Sequence, residues 1–152
     1  MEVYRLSREI YARPLNGKGA AIKGARWNPI GVELIYSASN RSLAMAEVAV
    51  HLTMATLPGD YVMTTIFVPD DISIERVLPV DLPVNWNSFP YSTSTHTIGE
   101  KFVNKGTSCI LKVPSAVTRG DFNFLINPAH KDFRRIKIVE IIKFPFDNRI
   151  FK

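Results

Sequence analysis

Apolar positions in this chain fall into short runs separated by polar or turn-forming residues. Val32–Tyr36, Tyr61–Val68, Ile72–Val77, Ser108–Val113, Asn123–Ile126 and Ile136–Phe144 are runs of this kind, several rich in Val, Ile, Thr and aromatics. Those side chains suit a pleated, half-buried surface, so the runs predict the strands of a sheet. One stretch differs. Arg41–Ala55 predicts a helix, with Asn40 or Ser39 as its N-cap and Leu57-Pro58-Gly59-Asp60 as its stop. A second helix is expected over Ser94–Asn104, ending before Lys105-Gly106, with Trp86-Asn87-Ser88-Phe89-Pro90-Tyr91 ahead of it as a loop. Strands outnumber helices and do not alternate with them regularly. The pattern therefore predicts an α+β fold with a mixed or largely antiparallel sheet and few helices, not a doubly wound one. Gly and Pro are spread throughout, with neither repeats nor a low-complexity linker, so residues 1–152 read as a single domain.

The helical stretch contains the first chemical anomaly. Ser42 to Ala55 reads Ser-Leu-Ala-Met-Ala-Glu-Val-Ala-Val-His-Leu-Thr-Met-Ala, apolar at most positions, with Glu47 as its one carboxylate. A helix apolar on nearly every face belongs in a core, where an ionised carboxylate costs several kcal/mol, order of magnitude, unless it is compensated. Glu47 is thus the leading candidate for chemistry. A structural ion pair with His51, one turn on, is the alternative.

Composition narrows the function classes. With 46% hydrophobic and 22% charged residues in 152, the chain is an ordinary globular sequence and not a disordered tail. No apolar run approaches the roughly 20 residues of a membrane helix, and Met-Glu-Val-Tyr-Arg lacks a signal-peptide pattern, which makes the cytoplasm the expected location. A single cysteine, Cys109, excludes an intramolecular disulfide and sits in an apolar run that reads as packing. The net charge of +5 is uneven. Residues 1–26 carry Arg5, Arg8, Arg13, Lys18, Lys23 and Arg26 against Glu2 and Glu9, a segment suited to phosphates in a nucleotide or a nucleic acid. A basic nucleic-acid-binding module without enzymatic activity is the reading of another class, although no RNA-binding signature or helix-turn-helix pattern supports direct contact.

Other candidates lie outside the helix. In Gly24-Ala25-Arg26-Trp27-Asn28-Pro29-Ile30-Gly31, Arg26 offers a planar fork for a phosphate and Trp27 a stacking face, or the pair is an arginine stacked on a core plug. Tyr36 follows on a strand, able to stack on a heterocycle or hydrogen-bond a ribose, or simply to pack. Ser115 has no Gly-x-Ser-x-Gly elbow and is read as a hydroxyl that positions a substrate, or that bonds its own turn. His51, His96 and His130 are far apart and His-Glu-x-x-His is absent, so a catalytic metal is not expected. Neither a Walker phosphate loop nor Gly-x-Gly-x-x-Gly occurs.

Taken together, Val3-Tyr4-Arg5, the Gly24–Gly31 stretch, Tyr36 through Glu47, Val113-Pro114-Ser115-Ala116 and Asn127-Pro128-Ala129-His130-Lys131-Asp132-Phe133 resemble the RES domain, the toxin half of bacterial RES-Xre toxin-antitoxin pairs. The resemblance spans almost the whole chain. It implies a fold similar to ADP-ribosyltransferases and a toxin that consumes NAD as substrate, with no permanently bound cofactor. In that reading Glu47 stabilises the oxocarbenium-like transition state, and Arg26 holds the pyrophosphate with Arg5 as a second phosphate contact. Tyr36 stacks near the nicotinamide or ribose, and Ser115 fixes that ribose. Trp27 and His130 join the binding residues, with packing and loop-fixing as their alternative roles. Glycohydrolysis is ranked first, phosphorolysis second and ADP-ribosylation of a protein third. The resemblance also implies an Xre-type helix-turn-helix antitoxin, contact with DNA only through it, and a toxin homodimer.

Overall fold

The β-branched and aromatic runs do form a sheet. The computed structural model describes residues 1–151. Its strands are β1 Glu2–Arg8, β2 Ile35–Ala38, β3 Tyr61–Phe67, β4 Ile74–Arg76, β5 Ile110–Pro114, β6 Phe122–Ile126 and β7 Lys137–Lys143. They make one seven-stranded sheet in the order β4-β5-β6-β2-β1-β3-β7. Only β4 and β5 run parallel, and the other neighbours are antiparallel. Three helices, α1 Lys18–Lys23, α2 Arg41–Ala49 and α3 His96–Lys105, complete the α+β fold that the pattern predicts.

The register sorts the core. Val3, Ile35, Ile66, Ile110 and Ile126 share one face of the sheet and one buried cluster. On the opposite face Leu111, Val113 and Leu125 pack with Trp27 and Phe102 of α3, and Leu6, Ala38 and Met63 pack under Leu43 and Ala44 of α2. Burial of a side chain such as Leu43 contributes about 1.5–3 kcal/mol, which is what holds α2 on the sheet. Asn40 caps the helix by accepting from the Leu43 amide at 2.8 Å.

Several expectations need correcting. β1 was absent from the predicted strands, because Glu2, Arg5 and Arg8 at every third position break the apolar alternation. α1 was absent too, since none of its residues is buried. β2 begins at Ile35, later than the apolar run at Val32. α2 stops at Ala49, well before Ala55, and only Leu43 and Ala44 of it are fully buried. Past Val48 the helix has no core cluster to dock on, so Val50 and Met54 stand exposed. The helix is therefore a half-exposed cover on the sheet and not a core element.

One irregularity positions the site. β1 pairs with β3 along its whole length, from Glu2↔Phe67 to Arg8↔Tyr61, but meets β2 at the single position Tyr4↔Ala38. Beyond that bridge the two strands form no further ladder pairs, and the sheet opens in its middle.

Candidate active site

Two adjoining cavities flank this opening, one of about 880 Å³ and one of about 620 Å³. Both are lined by Arg5, Lys23 and Tyr36, so they meet where β1 and β2 part. The larger chamber is closed on one side by α2, which presents Glu47, with His51 in the turn that follows it, and on the other by the segment bearing Asn87, Phe89 and Tyr91. The smaller runs under α1, with Arg13, Lys18 and Lys23 on its wall. Much of the basic N-terminal segment thus lines a concavity. Arg8 is the exception, being paired with Asp60 at 3.0 Å.

Glu47 is compensated by neutral donors and not by His51. Its Oε1 accepts from Ser115 Oγ at 2.8 Å and from Asn123 Nδ2 at 2.6 Å. No ion pair forms between Glu47 and His51 among the described residues, which replaces the ion-pair alternative. Oε2 accepts from no described group and is open to solvent in the larger chamber. Asn123 is missed by the sequence reading. It is 9% exposed, on β6 opposite Ala38 and Val113, and its signal was an asparagine inside an apolar strand, where that residue type is depleted.

Ser115 is more constrained than expected. Its hydroxyl donates to Glu47 and accepts from the Val117 and Thr118 amides at 3.1 and 2.9 Å, which fills its bonding capacity. It stands behind Glu47 and not on the cavity wall, so its contact is with the carboxylate and its own turn instead of a ribose.

Arg26 reaches across the chamber mouth. Its Nη1 donates to the carbonyls of Trp86 at 2.6 Å and Ser88 at 3.1 Å, and its guanidinium lies 5.7 Å from the Tyr91 ring centre. Thr95 donates to the Arg26 carbonyl. Burial lowers the pKa of Arg26, and the charge of Glu47 opposes that shift most strongly. Burial likewise lowers that of Arg5, whose one side-chain hydrogen bond among the described residues is a weak 3.5 Å bond to the Asn16 carbonyl. Both remain cations near neutrality, and Arg5 is largely unspent.

The rest of the Gly24–Gly31 stretch is architecture. Ala25 and Asn28 pair across a tight turn, so their amides are consumed. Asn28, fully buried, donates to the carbonyls of Ala20, Pro29 and Val32. Tyr36 donates to Asn28 Oδ1 at 2.7 Å and accepts from the Trp27 amide at 3.1 Å. Burial raises the phenol pKa, so the hydroxyl stays neutral. Tyr36 therefore offers the cleft its ring, and its hydroxyl locks the turn. Among the side chains of this stretch, the Arg26 guanidinium is the cation that faces the chamber.

Trp27 and His130 do not reach the cleft. Trp27 is 2% exposed and plugs the core beside Trp86, ring centres 5.9 Å apart, the packing role that the sequence offered as its alternative. Gly99 of α3 lies so close that a Cβ there would overlap the Trp27 carbonyl. His130 accepts from the Asp132 amide at 3.1 Å through Nδ1 and fixes the loop after β6, the loop-fixing role that was its alternative. Cys109 is fully buried, and burial pushes its thiol up to about 11, out of nucleophilic range. No group of three or more His, Cys, Asp or Glu among the described residues is arranged to hold a metal ion, and no helix is long and apolar enough to cross a membrane.

A family model described as the RES domain matches residues 2–147. The chain is similar to the "Prs ADP-ribosylating toxin" of Sphingobium sp. (strain YBL2), at 37% identity over 96% of this chain and 92% of that one. It is 36% identical to "Toxin Res" of Yersinia enterocolitica serotype O:8, over 99% of each. Among solved structures, the crystal structure of the M.tuberculosis MbcT-MbcA toxin-antitoxin complex matches with a TM-score of 0.78 and 19% identity, covering 95% of this chain and 84% of that one. At that identity the match establishes a shared fold.

Proposed function

The chain belongs to the RES domain family, and from that premise we propose that it is the toxin of a bacterial toxin-antitoxin pair and that it cleaves the nicotinamide–ribose bond of NAD. The observation that carries the reading is Glu47, with Oε1 saturated by Ser115 and Asn123 and Oε2 free in a cleft lined by arginines. When the N-glycosidic bond breaks, nicotinamide leaves with the bonding electron pair and the ribose ring gains oxocarbenium character. A fixed anion in a cleft walled largely by apolar side chains favours that developing charge more than it favours the ground state.

The remaining residues divide the binding of an elongated ligand with a doubly charged pyrophosphate. Arg5, where the chambers meet, and Arg26, on the wall of the larger one, would take the pyrophosphate by charge-assisted bonds. Tyr36 would stack on the nicotinamide or its ribose. Arg26 must trade the Trp86 and Ser88 carbonyls for phosphate oxygens, an exchange that water can broker at the chamber mouth.

Release to water or to phosphate comes first in this reading. Transfer of ADP-ribose to a protein is the second, favoured by the similarity to the toxin named for ADP-ribosylating Prs and by the apolar rim of the cleft, where Phe89 is 77% exposed and Val50 59%. An Xre-type helix-turn-helix antitoxin is the proposed partner, supported by the fold shared with a toxin solved in complex with an antitoxin. DNA contact would pass through that partner, and self-association as a homodimer belongs to the same proposal, as does action in the cytoplasm.

The test is product analysis by mass spectrometry after incubating purified protein with NAD, with and without phosphate. Wild type should release nicotinamide, with ADP-ribose or its phosphorylated form naming the acceptor, and Glu47→Gln should not. Intact NAD under both conditions with every acceptor tried, or a folded Glu47→Gln working at the wild-type rate, would overturn the reading.

A further inference from the structure

We infer that Asn123 is a positioning residue for Glu47: its carboxamide, together with Ser115, commits one carboxylate oxygen to the protein and turns the other toward the reacting ribose carbon. This deepens the proposed NAD cleavage and rests on it for the identity of the reaction.

The argument begins with Oε1, which receives two hydrogen bonds, from Ser115 Oγ at 2.8 Å and Asn123 Nδ2 at 2.6 Å. The donors come from different places: Asn123 from the middle of the sheet, Ser115 from the turn after β5. Glu47 itself is on α2, so three elements converge on one atom. Because an ionised carboxylate can only accept, the amide nitrogen of Asn123 must be the atom facing it. Two fixed donors remove the freedom of the last side-chain torsion, which in glutamate is otherwise broad. Oε2, free of protein donors, is the oxygen left to meet developing positive charge.

The two donors are not equivalent. Ser115 is also held by the Val117 and Thr118 amides and keeps its turn intact whether or not Glu47 is present. Asn123 Nδ2 donates to Glu47 alone among the described residues. A strand position facing Ala38 and Val113 would ordinarily take an apolar side chain, and placing a buried carboxamide there costs stability unless its bond is used. Among the described residues Glu47 is the one hydrogen-bond partner of the amide, whose side chain stands on the wall of the larger chamber beside it.

The test compares Asn123→Ala and Asn123→Asp with wild type, folding being checked by thermal melts. Loss of a bond to a charged group should lower kcat of Asn123→Ala roughly 10- to 100-fold, with KM for NAD within a few-fold of wild type. Asn123→Asp puts two carboxyls at hydrogen-bond distance, which then share a proton. While that proton is held, the introduced carboxyl donates as the amide did. Its kcat should approach wild type at the acid end and fall as pH rises through loss of the shared proton. The other ionisable groups around the chamber, Tyr4 and Arg5 on β1, Lys23, Arg26, Tyr36, His51 and Tyr91, are common to both proteins. Their effects cancel in the comparison. An unchanged kcat in Asn123→Ala, or equal pH profiles for Asn123→Asp and wild type, would overturn the inference. Crystal structures of wild type and Asn123→Ala supply a readout independent of turnover. The Glu47 carboxylate should be single and ordered in the first, and rotated or spread in the second. An unmoved carboxylate overturns the positioning role whatever NAD does. A moved one in a protein whose wild type leaves NAD intact upholds it and removes the functional reading instead.

Discussion

The two charged ends of the larger chamber are anchored in opposite ways. Glu47 is held by side chains: a strand asparagine and a turn serine, both 9% exposed or less, close on the same oxygen from the sheet beneath. Arg26, across the chamber, is held by backbone carbonyls of Trp86 and Ser88, in the segment between β4 and α3 that lines the mouth. The carboxylate is set before any ligand arrives, and its cost is met within the fold. The arginine is parked on acceptors that water can replace. Preorganised charge suits a transition state, and an exchangeable cation suits an incoming anion.

Breaking the fixed end should have the largest effect. Glu47→Gln keeps the shape and the Ser115 bond but removes the charge, and should lower kcat for NAD cleavage on the order of 10³-fold with KM little altered, as read by nicotinamide release. The exchangeable end should behave differently: Arg26→Lys keeps the charge and loses the fork, raising KM about 10- to 100-fold while kcat stays within a few-fold. A kcat loss as deep as that of Glu47→Gln would erase the contrast between the two ends. Between them stands Tyr36, whose hydroxyl serves the Gly24–Gly31 turn. Tyr36→Phe should cost about 1–3 kcal/mol of stability, seen as a lower denaturation midpoint, because the Trp27 amide and Asn28 Oδ1 lose their partner. The smallest effect sharpens the boundary of the site. His130→Ala should leave NAD turnover at the wild-type level and cost about 1 kcal/mol by removing the acceptor that caps Asp132.

How far these features were legible in the sequence depends on whether one segment carried the signal. β3 and β7 stand within a residue of their predicted ends, since Tyr61–Phe67 and Lys137–Lys143 advertise themselves by residue type alone. Asn40 as cap and Glu47 as anomaly were legible for the same reason. β1 was not, because buried on both faces of the sheet it shows Val3 and Leu6 out of step with each other, between charges. The length of α2 depended on where its docking surface ends, which is a property of β1, β2 and β3 together. The partners of Glu47 were beyond local reading as well, being 68 and 76 positions away in the chain. Ser115 was singled out as a hydroxyl without knowing what it served, and Asn123 passed as one more residue of a strand. For Trp27 the structure chose the plug over the stacking face, because α3 closes over it at Gly99.

The narrow join between β1 and β2 has a thermodynamic consequence. Four strands lie on one side of it and three on the other, and the ladder joining the two plates is one residue pair wide. A molecule lying along the cleft would touch Arg5 on one plate and Tyr36 on the other, and so would rivet them together. Any such ligand acts as a cross-link, raising the melting temperature in proportion to the logarithm of its concentration above Kd. It would also slow amide hydrogen exchange along the facing edges of β1 and β2 more than at the far edges of the sheet.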